Sequence, residues 1–297
     1  MPDLPITARS FVNAWQCDEN DHLNVQFYTG YADEASPQLH AMLGSEPGPR
    51  IAVLEDYIRY HREMRTADSV EVRSAPVEID ETTLTAYHEV RNADDGQVAA
   101  TVRRRTQFVD TGGDPLDWGE AFRGQARAHV VGLPAIARPR TTGSRGPVPP
   151  LTADDKRCAG LVEIGRGTVQ ARECNARGRM TPQAHAGRLS DSAGFFWRAF
   201  GFGRDAMRAR NQGTAVVETL CRYHQPPHVG DLIVVRSGLI ASTDRILHIV
   251  HFMFDAASGH LLAQAEGVGV LFDLAARKIV QLSADDQQRL AARHLRL

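Results

Sequence analysis

The chain repeats itself, and that constrains its fold more than any other feature. Arg9-Ser-Phe-Val-Asn-Ala-Trp-Gln-Cys-Asp18 aligns with Arg166-Gly-Thr-Val-Gln-Ala-Arg-Glu-Cys-Asn175 at a shift of 157 residues (166 − 9). The same shift pairs Leu23 with Met180, Gln26 with Gln183 and Gly30 with Gly187. Further on, Arg59-Tyr60-His61 matches Arg222-Tyr223-His224 at a shift of 163 (222 − 59). That second shift also pairs Glu55 with Glu218, Asp68 with Asp231, His88 with His251 and Gly96 with Gly259. Chance does not supply so many ordered matches at two fixed shifts, so the 297 residues hold one unit twice. The step between the shifts places a short insertion around Phe202–Asn211 of the second copy.

Each copy reads alike: a short strand (9–16, and 166–173), a loop, one long helix, then about four strands in an antiparallel meander. Asn24 and Thr181 hold equivalent positions and are good helix N-caps, with Pro182 at the first helical position. Leu189, Ala193, Phe196 and Phe200 recur at helical spacing, as do Phe27, Tyr31 and Ala35 in the first copy, where Pro37 predicts a kink or an early end. Mid-helix Gly30 and Gly187 predict close helix–sheet contact. Asn92–Gly96 and Asp255–Gly259 carry turn chemistry. The class is α+β, a sheet with one long helix against it in each half. The boundaries predicted are 1–125, a Pro-, Arg- and Gly-rich linker over 126–155, and 156–297, ending in a surface helix from Asp285.

Composition removes several function classes. With 34 basic and 36 acidic residues, the net charge of −2 favours neither nucleic acid nor an anionic membrane. No apolar run approaches the ~20 residues of a membrane span, and the first residues lack signal-peptide order. Four scattered cysteines (Cys17, Cys158, Cys174, Cys221) make no disulfide framework, so the cytoplasm is the expected compartment. P-loop, dinucleotide and Gly-x-Ser-x-Gly signatures are missing.

Trp15-Gln-Cys-Asp18-Glu-Asn20-Asp-His22-Leu-Asn24-Val-Gln-Phe-Tyr28 resembles the signature of hotdog acyl-CoA thioesterases of the 4-hydroxybenzoyl-CoA thioesterase type. In that family an aspartate stands four residues before the histidine of a Gly-His-Met/Val-Asn segment opening the central helix. Here Asp21 replaces the usual glycine, which bears on the shape of that turn. The strand start Gly-Asp-x-Val-x-Val appears as Ala67-Asp68-Ser-Val-Glu-Val and Gly230-Asp231-Leu-Ile-Val-Val. The resemblance implies two tandem hotdog domains, each an antiparallel sheet wrapped around a long helix and paired as an intrachain pseudo-dimer, with sites where units meet. The first copy alone carries the complete signature.

The resemblance also assigns roles. Asp18 attacks the thioester carbonyl carbon or draws a proton from water, and the backbone N–H of Val25, seven residues on, holds the oxyanion. His22 and Asn24 orient the loop or touch substrate, and His61 and His224 are candidates to line the pocket. In the second copy Asn175, Arg179 and Thr181 replace Asp18, His22 and Asn24. An amide neither attacks nor takes the proton, so one active site and one degenerate site are expected. Cys17 near His22 invites a nucleophile–base reading, but Cys174 has no histidine neighbour. His88 and His251 read as satisfied core histidines, and Phe195, Phe196 and Trp197 as core rather than acyl pocket. Linker arginines 138, 140 and 145 read as solvated rather than bound to CoA phosphates.

The reading is therefore hydrolysis of an acyl-CoA thioester, with no cofactor and no metal, in chains compatible with homo-oligomers. Two alternatives stay open. One is a hotdog enoyl-CoA hydratase, whose Asp-x-Asn-Pro-x-His pattern is only approached by Asp18-Glu-Asn20-Asp-His22. The other is a non-catalytic acyl-CoA-binding protein.

Overall fold

A computed structural model describes residues 4–45, 51–143 and 151–296. By contact density the chain divides into two units: residues 1–138 with 181–186, and residues 139–180 with 187–297.

In the first unit β1 (Ile6–Phe11) leads through a one-turn 3-10 helix (Ala14–Gln16) to α1 (Val25–Met42). Strands β2 (Ile51–Tyr60), β3 (Ser69–Ile79), β4 (Thr83–Asn92) and β5 (Val98–Phe108) follow, then α2 (Glu120–Ala128). The strands pair antiparallel in the order β1-β3-β4-β5-β2. Helix α1 lies against β1, β3, β4 and β5. Its buried stripe of Tyr28, Tyr31 and Ala35 packs on Val12, Val70, Val72 and Val90. Leu39 and Leu43 continue the stripe onto Leu84, Ala86, Trp118 and Phe122. Each valine, leucine or phenylalanine so removed from water contributes about 1.5–3 kcal/mol, so this stripe fixes the helix on its sheet.

The second unit repeats the plan: β6 (Val162–Thr168), a 3-10 turn (Ala171–Glu173), α3 (Pro182–Ala199), β7 (Gln212–Tyr223), β8 (Leu232–Ser242), β9 (Leu247–Asp255) and β10 (Leu261–Asp273). Its strand order is β7-β10-β9-β8-β6, with the short β11 (Lys278–Ile279) on β10. α4 (Arg204–Ala209) is the insertion expected around Phe202–Asn211, and α5 (Ala284–Ala291) closes the chain. Phe196 of α3 and Phe200 just past its end lie tilted with ring centroids 4.6 Å apart, and Phe196 meets the His251 ring edge-on at 6.1 Å.

The repeat survives as strand register. Arg59 opposes Thr101 on β2/β5, and Arg222 opposes Gln264 on β7/β10. Ser74 opposes His88 on β3/β4, and Ser237 opposes His251 on β8/β9. All four residues of each set differ by the same 163 read from the sequence.

Several expectations need correction. The first strand of each copy starts and ends earlier than 9–16 and 166–173, because Asn13 and Gln170 cap 3-10 turns. The Asn13 N–H donates to Gln16 Oε1 at 2.8 Å, and that of Gln170 to Glu173 Oε2 at 2.7 Å. Pro37 does not end α1, which runs 18 residues, as long as α3. Proline forgoes the bond to the Asp33 carbonyl one turn earlier and crowds that carbonyl, and the helix nevertheless continues past Pro37, which is exposed. The Gly30 prediction also fails in detail: a Cβ there would meet the Gln183 side chain at 2.6 Å, not the sheet. The stretch 126–155 is no free tether over its described part. The Val131 N–H donates to Pro76 O, Arg59 donates to Ile136 O, and the N–H groups of Arg140, Thr141 and Thr142 all donate to Glu218 Oε1. Arg145 lies outside the described residues.

Candidate active site

The signature loop closes on itself immediately before α1. Cys17 and Leu23 form an antiparallel bridge, the Asp18 N–H donates to His22 O at 2.8 Å, and the Asn24 N–H donates to Gln16 O at 3.0 Å. Asp18 is half-buried, and its Oδ1 accepts the N–H of Asn20 at 2.8 Å and of His22 at 3.1 Å. Asp21 supplies the turn at φ 59. Its counterpart Gly178 takes φ 71, so the turn expected of a glycine is kept by aspartate, one of the few side chains that tolerates the left-handed region. Asn24 is the N-cap, its Oδ1 accepting the Gln26 N–H at 3.1 Å. Val25 is thus the first helical residue, where an α-helix presents N–H groups lacking an intrahelical partner.

The other sequence-marked residues fall as follows. His22 points to the β2–β3 loop, its Nε2 lying 3.2 Å from both Glu63 Oε2 and Arg65 Nη2. Cys17 Sγ meets Thr66 Oγ1 at 3.4 Å and the Asn13 carbonyl at 3.8 Å, as Cys174 Sγ meets the Gln170 carbonyl at 3.5 Å. The shared contact suits a small residue at a turn. His61 Nε2 lies 3.1 Å from Thr101 Oγ1. His224 bonds the Gln264 side chain; burial, then Arg222, lowers its pKa.

The second copy reproduces the loop without the acid. Cys174 bridges Met180, the Asn175 N–H donates to Arg179 O at 2.8 Å, and Asn175 Oδ1 accepts the N–H of Arg177 and Arg179 at 2.9 and 3.2 Å. Thr181 Oγ1 accepts the Ala184 N–H at 3.2 Å, ahead of Pro182. The two loops share one backbone scaffold and differ in the group it presents. Phe196 and Trp197 are buried, as expected of core; Phe195 is exposed and borders a cleft of about 390 Å³ lined also by Ile164, Ile233, Val235 and Arg188.

Sequence reasoning missed one charged cluster. Arg104, fully buried on β5, donates Nε and Nη2 to the two oxygens of buried Asp56 at 2.7 Å each, and its Nη1 lies 2.7 Å from Asp33 Oδ1 on α1. Asp33 Oδ2 accepts the Gln183 N–H at 3.0 Å. Burial pushes the Asp33 carboxyl up to about 6, with Arg104 opposing and Asp56 adding to the shift. The equivalent positions of the second copy are Ser190, Thr219 and Gly267, so the only sequence signal was a trio of charges whose repeat partners are small and neutral.

The thioesterase-like superfamily model matches residues 12–131 and again 169–290. The chain belongs to that superfamily. Among solved structures, one named as an oleoyl thioesterase of Lactobacillus plantarum superposes with TM-score 0.66 at 13% identity, covering 90% of this chain and 97% of its own. An acyl-ACP thioesterase of Bacteroides thetaiotaomicron gives 0.61 at 8% identity, with 88% and 96% covered. The 12:0-ACP thioesterase of Umbellularia californica gives 0.60 at 11%, with 88% and 92% covered. At such identities the superpositions speak for the fold, and they fit this thioesterase-like chain as an α+β tandem of two hotdog units. No curated protein matches it. The superfamily match in both copies makes the chain a thioester hydrolase. No helix among the described residues is long and apolar enough to cross a membrane.

Proposed function

We propose that this thioester hydrolase cleaves acyl-CoA to free acid and CoA at the first copy's loop, with Asp18 as the reacting carboxylate and the Val25 N–H as oxyanion donor. One observation carries the reading: the loops 17–23 and 174–180 keep the same bridge and the same two amide bonds to a side-chain oxygen, yet present a carboxylate in one and an amide in the other. A scaffold that works with an amide does not need the acid for folding, so the acid serves chemistry. The bonds from Asn20 and His22 fix Asp18 Oδ1 and orient Oδ2, the oxygen they do not engage.

In the chemistry, Oδ2 either attacks the carbonyl carbon, giving a mixed anhydride that water then opens, or takes a proton from the water that attacks. Either route builds negative charge on the carbonyl oxygen. A helix N-terminus receives that charge at no cost of reorganisation, and one such donor typically brings about 10²–10³ in rate. Collapse of the tetrahedral species expels the CoA thiolate, which is protonated to the thiol. Asn175 supports neither route, so the second copy serves as structure or as a binding surface.

The test is free-thiol release from acyl-CoAs of increasing chain length, beside the same acyl groups on acyl carrier protein, since solved relatives in fold are named for that carrier. Release that disappears in Asp18→Asn supports the proposal. Hydration of an enoyl-CoA without thiol release, or binding with no turnover, would refute it.

A further inference from the structure

Trp15 is the most exposed large apolar side chain among the described residues, at 74%, and it sits three positions before Asp18. The 3-10 turn that carries it is locked by the Asn13–Gln16 bonds. Its ring meets the Phe27 ring of the first α1 turn edge-on, centroids 5.7 Å apart, and most of the indole stays in solvent. An exposed indole is a platform on which a flat base can stack.

Backbone bonds place a basic loop beside this platform. The Asn24 N–H donates to Gln16 O, and the Leu23 N–H to Met64 O at 2.7 Å. Tyr28, next to Phe27, donates its hydroxyl to Arg62 O at 3.5 Å. Arg62 and Arg65 on that loop are half-exposed: Arg62 meets Asp95 at 3.5 Å, and Arg65 meets Glu63 at 4.0 Å and His22 Nε2 at 3.2 Å. Surface pairs of that kind are worth little and exchange readily for a phosphate. The second copy offers none of this. Arg172 stands for Trp15, Ala184 for Phe27, Gln225 for Arg62 and His228 for Arg65. An aromatic face with two guanidinium groups thus accompanies the one loop that carries the carboxylate.

We infer that Trp15, with Arg62 and Arg65, forms a nucleotide subsite that stacks the adenine of a CoA thioester and meets its phosphates. The inference rests on the acyl-CoA reading above and deepens it. A purine has a π-face for the indole, and its phosphates supply the anionic partner that the loop arginines complement. A carrier protein would present the same pantetheine arm without the base.

Two measurements test it, and they fail separately. Adenosine 3′,5′-bisphosphate needs no turnover: it should quench tryptophan fluorescence of the wild-type chain and leave Trp15→Phe unaffected. Trp15 is well exposed, whereas Trp118 and Trp197 are each 8% exposed, so the signal is assignable. No quench, or an equal one in both proteins, overturns the subsite whatever the enzyme hydrolyses. With turnover, Trp15→Ala should raise the ratio of KM for acyl-CoA to KM for the matching acyl-pantetheine about tenfold, as loss of one base stack would. A ratio that stays fixed, or quenching by acyl carrier protein and not by the nucleotide, would also overturn it. If neither thioester turns over while the nucleotide still quenches Trp15, the functional reading falls and the subsite stands.

Discussion

Ser74 Oγ lies 2.7 Å from Nδ1 of His88, and the pair recurs as Ser237 and His251 at 2.6 Å. Each pair bridges neighbouring strands under the central helix of its unit, and His88 Nε2 reaches Ser36 on α1 at 3.1 Å. These histidines are satisfied core groups, as their alternation with apolar residues suggests. Replacing Ser74 or Ser237 by alanine leaves a buried imidazole nitrogen without its partner. Each change should cost about 1–3 kcal/mol, with the larger loss at Ser74, where Thr7 Oγ1 also lies 2.6 Å from the serine hydroxyl. Urea titration measures both.

Buried histidines set the response to acid. Burial, then Arg104, lowers His40 to about 4, and the same causes, joined by His40, lower His88 well below its ordinary value. A depressed histidine stabilises the fold fully above the unfolded value near 6.5, and that contribution is lost as pH falls toward the folded value. His40 alone accounts for roughly 3 kcal/mol across this window. Asp33 acts with opposite sign: its pKa is raised to about 6, so its contribution is present at low pH and lost as pH rises from about 4 to 6. Melting temperature should therefore fall from pH 6.5 to pH 4, and Asp33→Asn should steepen that fall by removing the offset.

Arg104 holds two carboxylates out of water. Truncating Asp56 to alanine leaves the guanidinium buried with Asp33 alone, which should destabilise by about 3–5 kcal/mol. The matched Thr219→Ala in the second copy has no such charge to strand and should cost under about 1 kcal/mol. Chemical denaturation of the two variants separates a true ion cluster from general strand packing.

How far the sequence reached follows from what each feature depends on. The repeat, the helix caps Asn24 and Thr181 and the turn at Asp255–Gly259 are local patterns, and all are found in the structure. The 3-10 turns after β1 and β6 escaped because a polar residue three places before Gln16 or Glu173 also suits the end of a strand. The early end expected at Pro37 does not occur, because packing on both sides of the proline holds the helix through it. The Asp33–Asp56–Arg104 cluster was hidden for a deeper reason. Its members lie on a helix and two strands, and only tertiary packing turns three charges that read as surface into one cluster, with Arg104 and Asp56 buried and Asp33 partly so. The proposal for Asp18 likewise starts from its residue type and the amide at Asn175, while the two N–H groups that hold its Oδ1 became visible only in the structure.

In the proposed mechanism a carboxylate does chemistry in one loop and an amide keeps only structure in the other. Comparing kcat for Asp18→Asn and Asn175→Asp against the wild-type chain tests this most directly, because each substitution installs the side chain that the twin loop already accommodates. Asp18→Asn should lower kcat by about 10²–10⁴-fold with melting temperature unchanged, while Asn175→Asp should keep most of the activity. Undiminished kcat in Asp18→Asn, or equal losses from both variants, would contradict it.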